Sequence, residues 1–296
     1  MNDYPVSPAD PSTDSPVPAC PGGQSRAALA QAGQRRQPAA PAPSQPGGTA
    51  SSVSVSLPAS VPTVTYAIIA VTTVFYLLQL ASVYFAGYAN TLSQLDWLEA
   101  YGAKINVLIR AGQLWRFLTP ALLHGSIPHI GFNMYALYIF GVGLERHFGH
   151  RRFLLLYVLG AFTGNVLSFL LSSGYSIGAS TAIFGLIGAE GVFLLQNRKL
   201  FGSQFKGAIA NIIFVVVVNL FIGLAPGIDD WGHVGGLLGG LIFAWFAGPR
   251  WEVEGIYPSL HLTDKREPRE VLTGAAVVLL IFGALAMIGM LYPIAP

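Results

Sequence analysis

Cysteine is all but missing from this chain of 296 residues. Cys20 stands alone, which excludes an internal disulfide and any site built from several thiolates. Charge is scarce as well. Asp, Glu, Lys and Arg together make up 10% of the residues, too little for the surface of a soluble enzyme. The net charge of +2 is not gathered into the kind of basic cluster that a nucleic-acid partner requires. No His-Glu-x-x-His motif is present, and His124 and His129 are five apart, about 140° around an ideal helix. Neither a metal nor a cofactor is therefore expected. The first apolar run begins only near Val61, so no signal peptide is expected in front of it. Apolar residues are what the chain has in plenty. They are 53% of the total, mean hydropathy is +0.55, and long runs carry no charge, the marks of a polytopic membrane protein in contact with the lipid bilayer.

Residues 1–60 hold 11 of the 20 prolines, with Ser, Gly, Gln and Ala and almost no aromatics. Such a segment buries too little apolar surface to offset its ordering entropy and reads as disordered, with no legible function. A core is expected over 61–250, a connector over 251–270 and a last span over 271–292. The expected spans are 61–85, 126–144, 153–171, 180–196, 207–224, 231–248 and 271–292. Ser126 is a candidate N-cap for the second, because Pro128 is tolerated in a first turn but would clash if the helix already included His124. The connector 87–125 is long and half apolar, with Trp97 and Trp115-Arg116, and suggests a segment lying in the membrane interface.

Lysine and arginine set an orientation. The N-terminal segment and the connectors after spans two, four and six hold 3, 3, 3 and 4 of the 16. The other side holds Lys104, Arg110 and Arg116, all in the first connector. The N-terminus is expected in the cytoplasm and the C-terminus outside, in a prokaryotic plasma membrane.

The stretch Ile177-Gly178-Ala179-Ser180-Thr181 turns a polar loop into an apolar helix. Ser180 is there either as a helix cap or back-bonding hydroxyl, or as a nucleophile beside backbone N–H groups able to receive negative charge. Topology supplies a candidate base. Spans two, four and six all start from the outer face, which places Ser180, His233, His129 and Asn133 at nearly one depth. A histidine inside an apolar span either bonds a backbone carbonyl or serves function. Thr181, Gly185 and Ala189 form one small-residue strip, and Gly232, Gly236 and Gly240 another. If the strips face one another in lipid, hydroxyl and imidazole come within hydrogen-bonding reach. His129 and Asn133, four apart, share one helical face and suit an oxyanion hole completed by the Ser180 amide.

These residues resemble the rhomboid family of intramembrane serine proteases. The resemblance rests on Trp115-Arg116, His124-x4-His129-x3-Asn133, Gly178-Ala179-Ser180-Thr181 and His233-x2-Gly236-x3-Gly240, and covers roughly residues 62–250. It implies an all-α, rhomboid-like core of six transmembrane helices, with the seventh span added at the C-terminal end. It implies a Ser180–His233 dyad without a third acidic member. His129, Asn133 and the amide would hold the oxyanion, with Gly178 beside them, and Phe184 would carry the base ring. His124, Trp115, Arg116, Gly236 and Gly240 would support the site. Span five and residues 223–230 would be a lateral gate and cap. Substrates would be transmembrane proteins, cut in or near the membrane segment beside small residues and helix-breakers. The competing reading is a catalytically silent relative that binds membrane clients; such members generally lack the serine or the histidine. A transporter ranks last, because no internal repeat is visible. Glu190, about 15 Å below Ser180 on an ideal helix, has no assigned role.

Overall fold

The computed structural model describes residues 61–90, 94–256 and 259–292. The disorder expected of 1–60, with Cys20, lies outside them. The chain forms α1 (Thr63–Ala86), the short α2 (Trp97–Gly102) and α3 (Asn106–Arg110), then two 3-10 turns at Leu114–Phe117 and Thr119–Leu122. There follow α4 (Ile127–Phe148), α5 (His150–Leu171), α6 (Ser180–Gln196), the single turn α7 (Arg198–Phe201) and α8 (Phe205–Gly223). The chain continues through α9 (Asp230–Ala247), strands β1 (Trp251–Glu254) and β2 (His261–Asp264), and α10 (Pro268–Leu291). It is a mostly helical, multi-pass integral membrane protein.

Helix boundaries follow local chemistry. Ser126 caps α4 by accepting the His129 N–H at 3.2 Å, with Pro128 in the first turn. Gly149, at φ 75°, lets the chain turn from α4 straight into α5, a backbone setting that glycine adopts without strain. Asp229 caps α9 through the Gly232 N–H at 3.1 Å. Pro268 and a Glu267/Glu270 capping box start α10.

Among the described residues, seven long helices stand where seven spans were expected, and five of them are long and apolar enough to cross a membrane by length and composition. The two that fall outside are α6, with 17 residues, and α9, whose 18 residues include Asp230, His233 and five glycines. Both lie inside the bundle. Along α6 nearly every side chain from Thr181 to Leu194 is buried.

The core forms where α5, α6 and α9 meet without side chains between them. A Cβ on Gly236 would overlap the Thr181 carbonyl, and one on Gly240 the Gly185 carbonyl. One on Gly160 would stand 3.2 Å from the Ala182 carbonyl. Close backbone approach of this kind lets dispersion hold helices together where lipid removes the hydrophobic drive. α1 docks on α4 differently. Glu145 accepts from the Val64 N–H (2.8 Å), the Thr65 N–H (2.7 Å) and the Thr65 hydroxyl (2.6 Å), so one carboxylate caps the start of α1 from a neighbouring helix.

The connector expected over 251–270 holds an antiparallel ribbon, pairing Trp251 with Asp264 and Glu254 with His261. The first connector folds compactly. Arg116 donates to the Ala103 carbonyl (2.6 Å), the Ala100 carbonyl (2.7 Å) and Gln113 Oε1 (2.8 Å), closing the C-terminal end of α2. Lys104 and Asn106 do the same for α5: Lys104 Nζ donates to the Ser172 and Gly174 carbonyls at 2.8 Å, and Asn106 Nδ2 to Ser172 O at 2.9 Å. Burial pushes the Lys104 ammonium down to about 8. Trp97, Tyr101, Val107 and Leu114 remain exposed on this segment, an apolar surface suited to the membrane interface.

Candidate active site

Ser180 is the first residue of α6, and His233 lies in the first turn of α9. The two helices run side by side from the same end. Ser180 Oγ lies 3.0 Å from His233 Nε2. The imidazole stacks on Phe184, one turn below Ser180, with ring centroids 4.3 Å apart and planes 11° from parallel. His233 is 8% exposed, so the contact is mostly shielded from water. The glycine strips explain the distance. Gly232 faces Thr181, Gly236 the Thr181 carbonyl and Gly240 the Gly185 carbonyl, so the two helices approach at the spacing that brings their first turns together.

The loop ahead of Ser180 is pinned residue by residue to the first connector. Ser176 and Lys104 exchange backbone hydrogen bonds of 3.1 and 3.0 Å, and the Gly178 N–H donates to Pro120 O at 2.9 Å. The Ala179 N–H points to His124 Nε2 at 3.4 Å. Gly178 has φ 125°, and a Cβ there would stand 2.8 Å from His129 Nε2. Glycine is thus required at 178 both by its backbone and by the ring beside it. The Ser180 N–H, first in its helix, has no intrahelical partner and is available to an anion.

His124 is held from α1. Gln79 accepts the His124 N–H at 3.0 Å, donates to its carbonyl at 3.3 Å and bonds Asp96 at 2.8 Å. Burial first, and the neighbouring His129 second, push the His124 imidazole down to about 3. A ring that stays neutral is the form that can accept from Ala179. The His124 and His129 rings meet edge to face at 4.9 Å. Among the described residues no three His, Cys, Asp or Glu side chains gather as metal ligands.

Not every expected residue meets the serine. Asn133 Nδ2 donates to the His129 carbonyl at 2.9 Å, one turn back on its own helix. Trp115 stacks on Tyr101 at 5.4 Å and donates to its carbonyl at 3.0 Å, and Arg116 closes α2 as described. Both brace the connector that holds the loop, one step removed from Ser180. Asp229 and Asp230, absent from the residues expected at the site, also stand beside it. Asp229 accepts a short hydrogen bond from Ser168 on α5 while capping α9, and so fixes the start of the helix that carries His233. Asp230 Oδ1 lies 3.6 Å from His233 Nδ1, too far for a hydrogen bond. Their spacing of four and three residues before a histidine was the available signal, since these positions share a helix face with it.

Residues 111–250, which contain this whole constellation, match the Rhomboid domain family. These residues form a rhomboid-family domain. The chain is 43% identical over 185 residues to "Rhomboid protease GluP" of Bacillus subtilis (strain 168), covering 62% of this chain and 34% of that protein. It is 36% identical over 161 residues to "RHOMBOID-like protein 9, chloroplastic" of Arabidopsis thaliana, covering 54% and 37%. With "RHOMBOID-like protein 2" of the same plant it shares 33% identity over 201 residues, covering 66% and 63%. The matched part therefore spans between a third and two thirds of these relatives.

Proposed function

We propose that this rhomboid-family protein is an intramembrane serine endopeptidase that cleaves single-span membrane proteins in or near their transmembrane segment. The observation that carries the reading is the 3.0 Å contact between Ser180 Oγ and His233 Nε2. For Nε2 to accept the serine proton, the neutral ring must carry its own proton on Nδ1. Nδ1 is the nitrogen that faces Asp230, and among the described residues it has no hydrogen-bond partner. When Ser180 Oγ attacks the scissile carbonyl, its proton passes to Nε2, and the imidazolium formed has a carboxylate oxygen 3.6 Å away to balance it. Nε2 then returns the proton to the leaving amine as the C–N bond breaks, leaving an acyl group on Ser180. Water, deprotonated by the same nitrogen, releases it.

The negative charge on the attacked oxygen would meet the Ser180 N–H at the start of α6. The His129 ring, packed against Gly178, and the Asn133 amide are the side-chain donors nearest by topology. Asn133 spends one of its two amide N–H donors on the His129 carbonyl, which leaves the second to serve. α8, which buries little beyond Ile212 and Gly223, is the natural place for a substrate helix to enter. We further propose that the loop side of the connector faces out, with the N-terminus in the cytoplasm of a prokaryotic cell. This follows from the lysine and arginine bias.

The test is proteolysis in liposomes with a single-span substrate, followed beside labelling by a fluorophosphonate probe. Ser180→Ala and His233→Ala should each lower turnover by ~10³-fold or more. Asn133→Ala should cost less, about 10²-fold, because other donors remain. Probe labelling of Ser180 should vanish in His233→Ala. Turnover at the wild-type rate in either dyad variant would overturn the Ser180–His233 assignment, whereas no turnover by the wild-type chain would leave the silent, client-binding reading in its place.

A further inference from the structure

At the end of α6 remote from Ser180, about 24 Å along the helix, the molecule has a second built feature. A cavity of about 830 Å³ opens between the C-terminal end of α6, α7, the end of α9 and the first strand of the ribbon. Three cations line it: Arg198, Lys199 and Arg250. Glu252 is the one carboxylate in the lining. None of the three cations forms a salt bridge among the described residues, whereas Arg152, Lys265, Arg266 and Arg269 all do.

The walls are rigid. Asn197, 3% exposed, donates to the Phe193 and Pro249 carbonyls at 2.9 Å and accepts the Trp251 N–H at 2.8 Å. Gln196 Nε2 donates to the Trp245 carbonyl at 2.9 Å, and Arg266 bridges Gln196 Oε1 and the same carbonyl at 2.9 and 3.0 Å. These bonds clamp α6, α9 and the ribbon together around the opening. Trp251, in its lining, holds an indole N–H that is buried with no acceptor. A buried donor left unmatched calls for a partner that the protein itself does not supply.

The rim decides which anion fits. Leu195 is 48% exposed and Trp245 is 55% exposed, both on the side where the apolar stretches of α6 and α9 end. Tryptophan and basic side chains meeting at such a boundary mark the headgroup level of a bilayer. Cations alone would suit any phosphate. Cations beside an exposed leucine and tryptophan suit a phosphate that carries acyl chains.

We infer that this cavity binds an anionic phospholipid, with the headgroup phosphate among Arg198, Lys199 and Arg250 and the acyl chains along Leu195 and Trp245. The site is independent of the proteolytic reading and would be present in a silent protein too. A lipid bound there ties the ribbon and α9 to α6 at the end opposite the dyad, so its first effect is on stability in the membrane.

The experiment is native mass spectrometry of the full chain in mild detergent, titrated in separate arms with phosphatidylglycerol, phosphatidylcholine and inorganic phosphate. Circular-dichroism melting checks the fold of each variant. Phosphatidylglycerol should be retained in preference to phosphatidylcholine, and phosphate alone should not compete with it. The triple variant Arg198→Gln/Lys199→Gln/Arg250→Gln should lose about 100-fold in phosphatidylglycerol affinity, the sum expected for three basic residues at an anionic headgroup. Arg146→Gln/Arg151→Gln/Arg269→Gln, which removes the same charge from exposed positions elsewhere, should stay within about twofold. Trp251→Phe should cost roughly fivefold by removing the unmatched donor. Equal retention of the two lipids, or equal losses in the two triple variants, would overturn the assignment. Displacement of phosphatidylglycerol by inorganic phosphate would transfer the cavity to a soluble anion and overturn the lipid reading.

Discussion

Two helices of similar apolar character meet opposite fates in this molecule. Of an eighteen-residue window in α5, 67% is buried inside the protein; in the segment that ends in α8, the figure is 6%. Apolarity therefore does not say which helix is inside. The difference lies in the small and polar residues set among the apolar ones. α5 carries Gly160, Thr163, Gly164, Asn165 and Ser168, and each of them meets a neighbour. Gly164 lies against Thr181 and the Gly232 carbonyl, and a Cβ on Gly239 would overlap Thr163. Asn165 bonds the Phe117 carbonyl at 3.1 Å, and Ser168 bonds Asp229. α8 is an almost unbroken run of Ile, Phe and Val from Ile212 to Val218, good for lipid and poor for close helix contact. In a membrane, interior helices are marked by what interrupts their hydrophobicity.

Gly236→Val should force α9 away from the Thr181 carbonyl, lowering stability by about 3 kcal/mol and abolishing probe labelling of Ser180, as read by melting in detergent and by the label. Retained labelling would mean that the strip does not set the Ser–His distance. Next comes the one tight approach that α8 makes at its end, where a Cβ on Gly223 would overlap the Asp230 carboxylate. Gly223→Val should move that carboxylate and slow labelling several-fold, with a melting change of about 1 kcal/mol. Identical labelling kinetics would separate Asp230 from the base.

A pH titration sharpens the same contrast more gently. The His124 imidazole takes a proton near pH 6.5 when unfolded but only about 3 when folded. Between those values the unfolded chain binds more protons, so stability falls as the pH drops below 6.5 and is unaffected by this group above it. His124→Gln should flatten that part of the acid slope in melting experiments. An unchanged slope would show that the ring is not shielded. The smallest effect belongs to the lipid-facing helix: Phe214→Ala on α8, where the side chain is 65% exposed, should change stability by no more than about 0.5 kcal/mol. A large loss would place α8 inside the packed core after all.

Much of the site was legible before any coordinates. Ser126 as a cap, Ser180 at a helix start and His233 two residues after Trp231 all follow from local rules of capping and breaking. The small-residue strips announced which faces would meet. The first connector was not legible, because its order comes from Arg116, Lys104 and Asn106 donating to carbonyls between 13 and 70 residues distant. Nor was the ribbon after α9, whose two strands are four residues each. Asn133 shows the limit of a face argument. Sharing a face with His129 placed it at the right level, yet its amide bonds within its own helix.

By itself, the sequence determined that this chain crosses a membrane, where most of its helices begin and end, and which polar groups share a level. Those properties depend on hydrophobicity, capping and a fixed rise per residue, all local quantities. The tertiary structure decided which helices are enclosed, how near Ser180 comes to His233, and that Arg116 and Asp229 act as braces. Such outcomes depend on backbones approaching across long stretches of chain, where one absent Cβ counts for more than average apolarity.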